Sequence, residues 1–202
     1  MKFTRVVLAL LALGMIQTAH AGLIELRGGI GINSASPDAF NDRVKAASNS
    51  DLSTNQFDTV NADLFLNLPG PFGVGLRHEW INANKSSGGN EVKLHAKNFS
   101  VLADWRLIDT VVYVGPIVGI GYPNAKIDFR NNGVETSDSV SGKPSYSLGA
   151  EFGVHLAAFL VGAEAGYESL KLDKVSGANN NVDSKVDLSG FYGKVMVGLS
   201  FL

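Results

Sequence analysis

Apolar and polar residues alternate with period two along most of this chain, and the alternation predicts eight strands. From Leu23 to Ile32, Ile24, Leu26, Ile30 and Ile32 share one parity, while Glu25, Arg27, Gly29 and Gly31 share the other. Successive side chains of a strand point to opposite faces, so this pattern gives one greasy face and one charged or minute one. Thr59 to Leu68 sets Val60, Ala62, Leu64, Leu66 and Leu68 against Asn61, Asp63, Phe65 and Asn67. Phe72 to Trp80 sets Phe72, Val74, Leu76 and Trp80 against Gly73, Gly75, Arg77 and Glu79, with His78 as a polar intruder. Leu94 to Leu107 opposes Phe99, Val101, Ala103 and Trp105 to Asn98, Ser100, Asp104 and Arg106. Val111–Tyr122, Ser145–His155, Phe159–Ser169 and Val186–Phe201 repeat the scheme, with Glu151, Glu164 and Lys194 on their polar faces. Pro116 interrupts the fifth of these segments, because proline donates nothing to a ladder.

The connections alternate in length. Pro69-Gly70-Pro71, Ile108-Asp109-Thr110 and Ala157-Ala158 are short turns. Asn33–Asp58, Ile81–Lys93, Pro123–Pro144 and Leu170–Lys185 are long, rich in Asn, Ser, Asp and Gly, and read as loops. Within the first, Ser36 as N-cap, Pro37 at the first position and the Phe40/Val44 pair predict a short helix over Ser36–Ala46. An even number of strands, short turns at one end and long loops at the other fit an all-β, antiparallel, up-and-down transmembrane β-barrel with periplasmic turns and four outer loops.

The amino-terminal residues support export. Lys2 and Arg5 precede an apolar run from Val6 to Ile16, and Ala19-His20-Ala21 supplies small residues for cleavage. The run is shorter than the roughly 20 residues of a membrane-spanning helix and reads as a signal peptide over 1–21, with the barrel over 22–202. The chain has no cysteine, so neither disulfides nor a cysteine-borne lipid enter the picture. Without Lys2 and Arg5, 15 basic residues face 19 acidic ones, a net charge of −4 that argues against nucleic acid as a partner.

Alternation alone does not say which face is outside, since a soluble barrel alternates with its apolar face inward. Aromatics and glycines decide between the two. Trp80, Tyr122, Tyr146, Tyr167 and Phe191 fall near the long-loop ends of their strands, and Phe72, Trp105, Phe159 and Phe201 near the short-turn ends. Two aromatic girdles suit a layer with two interfaces. The polar face also carries most of the 23 glycines, which suits the crowded lumen of an eight-stranded barrel and not open water. The chain thus resembles the small OmpA/OmpX-type outer-membrane barrels over Leu23 to Phe201. The last strand, Phe191-x-Gly193-x-Val195-x-Val197-x-Leu199-x-Phe201, followed by Leu202, is similar to the signal such proteins present to the barrel assembly machinery.

The candidate chemistry lies on the polar face. Glu25, Asp63, Glu79, Asp104, Glu151 and Glu164, with Arg27, Arg77, Arg106 and Lys194, form a lumen set of mixed sign that is expected to pair, because charge removed from water must be compensated. His155 shares that face. Paired carboxylates can do acid–base chemistry, but so narrow a lumen admits little substrate. His78 and Glu79 are adjacent in a strand and point apart, so the acid cannot orient the imidazole. No GxSxG, HExxH or phosphate-loop pattern is present, and no metal or cofactor is expected. The expected function is a non-enzymatic outer-membrane barrel serving envelope integrity or surface interaction. Its expected partners are outer-membrane lipid, lipopolysaccharide and an unspecified surface ligand. A narrow pore is the first alternative and a lipid-modifying enzyme the second.

Overall fold

The computed structural model describes residues 23–35, 56–87, 90–131, 134–176 and 186–201. The expected signal peptide and the helix expected over Ser36–Ala46 lie outside these residues. The described strands are β1 (Ile24–Ala35), β2 (Phe57–Asn67), β3 (Phe72–Ser87), β4 (Asn90–Trp105), β5 (Ile108–Asp109), β6 (Val112–Asn131), β7 (Val134–Gly142), β8 (Ser145–Leu156), β9 (Phe159–Ser169), β10 (Lys171–Ser176), β11 (Val186–Asp187) and β12 (Gly190–Phe201). β1, β2, β3, β4, β6, β8, β9 and β12 pair in that order, each antiparallel to the next, and β12 returns to β1. The sheet is therefore a closed barrel of eight walls without a free edge in this region. β7, β10 and β11 prolong β8, β9 and β12 beyond breaks at Lys143-Pro144, Leu170 and Leu188-Ser189.

The short turns follow from local chemistry. Gly70 sits between two prolines at φ 100°, a backbone region that side chains disfavour. Ala157 occupies the left-handed region at φ 56° in the turn from β8 to β9, without glycine's freedom there.

Within the barrel the outward parity is apolar. Leu26, Ile30, Leu64, Leu76, Val101, Ile120, Leu148, Val161, Val195 and Val197 are exposed on the outer surface, and lipid, not water, is the medium that suits them. Inward, several glycines make room for large side chains. A Cβ on Gly153 would lie 2.5 Å from the Tyr113 ring, one on Gly75 2.9 Å from the Phe65 ring, and one on Gly149 2.5 Å from the Tyr192 hydroxyl. Phe65, Leu102 and Ile117 add a small apolar layer within the lumen.

The strands run past the long-loop girdle, and there the polarity of the two faces exchanges. On β3 the inward Arg77 and Glu79 give way to inward Ile81, while the outward Leu76 and Trp80 give way to Asn82 and Asn84. On β4 the inward set above Asn98 is Ala96, Leu94 and Val92, and the outward set above Phe99 is Lys97, His95 and Lys93. β6 does the same, with Ala125 and Ile127 buried and Asn124 and Lys126 exposed. Ala35, Phe57, Ile81, Val92, Leu94, Ala96, Ala125, Ile127, Val140, Leu170, Leu172, Val186 and Leu188 join in one buried apolar cluster at this end. Outside lipid the solvent-facing side must be polar and the apolar residues turn inward, as in a water-soluble barrel; burying each large one contributes about 1.5–3 kcal/mol. The loops expected over Ile81–Lys93 and Pro123–Pro144 are thus largely strand. Hairpins β3–β4 and β6–β7 form a collar that continues the barrel wall.

Candidate functional site

The lumen is filled by charged side chains in two layers. In the layer nearer the short turns, Glu25 of β1 accepts hydrogen bonds from Arg27 at 2.6 and 2.9 Å, from Arg106 at 2.8 and 2.9 Å, and from Asn67 at 2.8 Å. Arg27 also donates to Glu151 at 2.8 Å and lies 4.0 Å over the Phe65 ring. Arg106 leans on the Tyr113 ring at 4.9 Å and approaches Asp104 at 3.3 Å and Asp109 at 3.6 Å. His155 stands 3.5 Å from Asp109.

The second layer centres on Arg77. Its guanidinium donates to Asp63 on the neighbouring strand at 2.8 and 2.9 Å, and to both oxygens of Glu164 at 2.6 and 2.9 Å. Tyr192 donates to the same Glu164 at 2.8 Å. Above them Lys194 pairs with Glu79 at 2.8 Å, and Asn98 donates to Glu168 at 2.8 Å. The barrel register lays these signs side by side. Arg27 faces Asp63, Asp63 faces Arg77, and Lys194 faces Glu164. Opposite charges on cross-strand neighbours stabilise a sheet, and bidentate guanidinium–carboxylate contacts are the strongest form of such pairing.

All ten lumen residues expected from the sequence are therefore buried and drawn into these two layers. The structure adds Asp109, Glu168, Tyr113 and Tyr192. Asp109 belongs to β5 and turns inward, although its neighbours Ile108 and Thr110 read as a plain turn. Glu168 continues the inward parity of Glu164 two repeats further, beyond Gly166, a signal the sequence does carry. With these two, eight buried carboxylates meet Arg27, Arg77, Arg106, Lys194 and His155, so the lumen is more acidic than an even mixture of signs.

The expected aromatic girdles lie on the outer surface. Phe72 stacks on Trp105 at 5.8 Å near the short turns, and Tyr167 meets Phe191 edge-on at 5.4 Å near the collar. Tyr122, Tyr146, Phe159 and Phe201 are exposed, and Trp80 is half-buried. His78 packs 4.3 Å from the Trp80 ring and 6.5 Å from Phe99, whereas Glu79 is turned inward to Lys194. Among the described residues no group of three His, Cys, Asp or Glu is arranged to hold a metal ion.

A closed barrel, apolar outside and charged inside with aromatic rims, is matched along 6–201 by the family model described as the outer membrane protein β-barrel domain. The chain belongs to this outer-membrane β-barrel family. It is accordingly a bacterial outer-membrane protein. Among solved structures it is similar to Ail, the attachment invasion locus protein of Yersinia pestis, at 17% identity and a TM-score of 0.54, covering 90% of this chain and 98% of that one. Neisserial surface protein A matches at 14% identity and a TM-score of 0.52, covering 90% and 99%. A major outer membrane protein of Thermus thermophilus matches at 10% identity and a TM-score of 0.52, covering 88% and 99%. Identities this low speak for the shared barrel alone. No curated protein matches the sequence.

Above the girdle this family member carries charge on its outer wall. Lys93 pairs with Glu91 at 3.1 Å, Lys126 with Asp128 at 2.8 Å, and Arg130 with Glu135 at 3.7 Å, around a shallow depression of about 180 Å³. The hydrogen bond from Lys93 holds Glu91 below the usual carboxylate range. Those from Lys126 and Ser137 do the same for Asp128. These pairs are exposed and each contributes little to stability.

Proposed function

We propose that this protein is a sealed, non-enzymatic barrel that anchors a folded collar at the outer surface, where the collar serves surface interaction or envelope integrity. The observation that carries this reading is the stacking of two ion-paired layers beneath one apolar cluster. An ion crossing the lumen has to displace Arg77 from two carboxylates and then enter an apolar zone without compensating groups, and both steps are costly. Planar-bilayer recording tests this. The wild-type protein is expected to give no unitary conductance, and reproducible steps that change on Arg77→Gln would replace the sealed anchor by a narrow channel.

The non-enzymatic part rests on the separation of His78 from its neighbour Glu79, which turns inward to Lys194, and on the enclosure of His155. Mass spectra of lipid A from cells with and without the protein should be identical; a changed acyl or phosphate pattern would make it a lipid-modifying enzyme. The alternating, aromatic-ended β12 supports recognition by the barrel assembly machinery. Removing Phe201 and Leu202 should lower the fraction of folded barrel in the outer membrane, and unchanged folding would refute that role.

A further inference from the structure

Inside the lumen, near the level of the long-loop girdle, several acceptor oxygens stand together without partners. The register lays Asn61, Glu79 and Asn98 side by side on β2, β3 and β4, with Thr59 two residues nearer the collar on the same inward face as Asn61. Beside Asn61 and Thr59, β1 presents only Gly29 and Gly31, and Asn33 follows above them. A Cβ on Gly29 would collide with Asn61 Oδ1, so that oxygen lies over bare backbone. Asn61 Nδ2 donates to Asp63 at 2.8 Å, which fixes the amide and leaves Oδ1 as an acceptor. Asn33 Oδ1, Thr59 Oγ1 and Asn61 Oδ1 have no hydrogen-bond partner among the described residues, and each of the three residues is at most 2% exposed. Glu168 accepts from Asn98 with one oxygen at 2.8 Å, and its other oxygen is likewise unpartnered. Buried polar atoms without partners are rare and costly. Charge is unbalanced in the same place: the four buried carboxylates Asp63, Glu79, Glu164 and Glu168 face only Arg77 and Lys194.

From this juxtaposition we infer that the β1–β2–β3 wall of the lumen holds one resident alkali cation on Asn33, Thr59, Asn61 and Glu79. Oxygen donors without sulfur or imidazole select a hard cation, and the surplus of carboxylate over basic side chains supplies the attracting field. A divalent ion would draw on carboxylates as its principal ligands. The oxygens left over here are amides and a hydroxyl, and Glu79 already carries Lys194 at 2.8 Å, so a single positive charge fits the set. Such a site is distinct from a cluster of His, Cys, Asp or Glu, of which the described residues hold none. The two glycines make the room, since a Cβ on Gly29 would meet Asn61 and one on Gly31 would lie 2.7 Å from Lys194 Cγ. The apolar cluster closes the site above and the Arg77 layer closes it below. The ion therefore enters as the barrel closes and stays, and a sealed lumen and an occupied one are compatible.

The test uses the full-length protein folded into phosphatidylcholine vesicles, with reversible urea unfolding in sodium chloride brought to constant ionic strength by tetramethylammonium chloride. Between about 10 and about 300 mM sodium chloride the unfolding equilibrium constant of wild type is expected to fall about 10- to 30-fold, as mass action gives for one site with a Kd of about 20 mM or less. Thr59→Val/Asn61→Leu removes two oxygens and no charge, and is expected to lose that dependence, whereas Ser137→Ala on the collar keeps it. A wild type indifferent to sodium overturns the site and leaves the oxygens to ordered water. An undiminished dependence in the double variant overturns it as a general salt effect. Calcium chloride at about 1 mM reproducing the sodium effect would overturn the choice of a monovalent ion. A heat-dependent gel shift verifies that each protein is folded. Thr59→Val alone, which conserves volume, replaces the double variant if that does not fold; a dependence weakened at least about threefold is then expected, and an unweakened one overturns the site equally.

Discussion

Arg77 on β3 grips both carboxylate oxygens of Glu164 on β9, the wall on the opposite side of the eight-stranded barrel. The contact ties across the lumen two strands that share no backbone hydrogen bond. Asp63 shares the same guanidinium, so Arg77→Ala would leave two buried carboxylates without their counter-ion. We expect a loss of about 3–5 kcal/mol in reversible unfolding from lipid vesicles. Replacing Asp63, Arg77 and Glu164 together by apolar residues of similar size should recover most of that loss. A single Arg77→Ala costing under about 1 kcal/mol, the range of exposed pairs, would show that the pairs are dispensable.

The fit of glycine to aromatic ring makes a second prediction. The ring of Tyr113 occupies the space a side chain at Gly153 would need, so Gly153→Ala should cost about 1–3 kcal/mol by overpacking. Tyr113→Leu should relieve it, giving a coupling energy between the two positions in a double-mutant cycle. Additive costs would mean that the glycine is there for another reason.

Much of this architecture is legible in the sequence, because a strand's parity is fixed and lipid demands one polarity on one face. Ile24 to Ile32 and Phe191 to Phe201 are strands by that criterion alone. The collar is harder to read. Ile81, Leu94, Ala125 and Ile127 keep the inward parity of their strands, but their polarity is the reverse of what holds below the girdle, and polar Asn, Lys and Ser between them look like loop. Parity continues where polarity inverts, and only a change of surrounding medium explains both. The lumen charges are recognisable as a set, yet their partners are not. Arg77 and Glu164 are 87 residues apart, and which carboxylate an arginine meets depends on the register of strands that never touch. Asp109 is hidden by its turn-like neighbours, although it lies buried beside Arg106 and His155.

On the collar, Asp128 gives a pH prediction. Its carboxylate is held below the ordinary value of 3.8, first by the Lys126 hydrogen bond and then by that from Ser137. A depressed folded value means that its contribution is fully present at neutral pH and is lost only as pH falls through that lower value. Carboxyl chemical shifts followed by NMR should therefore show an Asp128 midpoint below 3.8, moving upward in Ser137→Ala. A midpoint at or above the ordinary value would contradict the hydrogen-bonded geometry at the β6–β7 hairpin.

The exchange of polarity between membrane and collar is tested most directly by unfolding measurements on one strand, β4, which crosses both zones. Val101 faces lipid, Leu94 faces the apolar cluster, and His95 faces solvent. Val101→Arg should cost about 2–4 kcal/mol, Leu94→Ala about 2–5 kcal/mol, and His95→Arg within about 0.5 kcal/mol of zero. A costly His95→Arg together with a neutral Leu94→Ala would mean that the outward face stays apolar above the girdle, and the collar would not be the water-facing continuation of a lipid-embedded barrel.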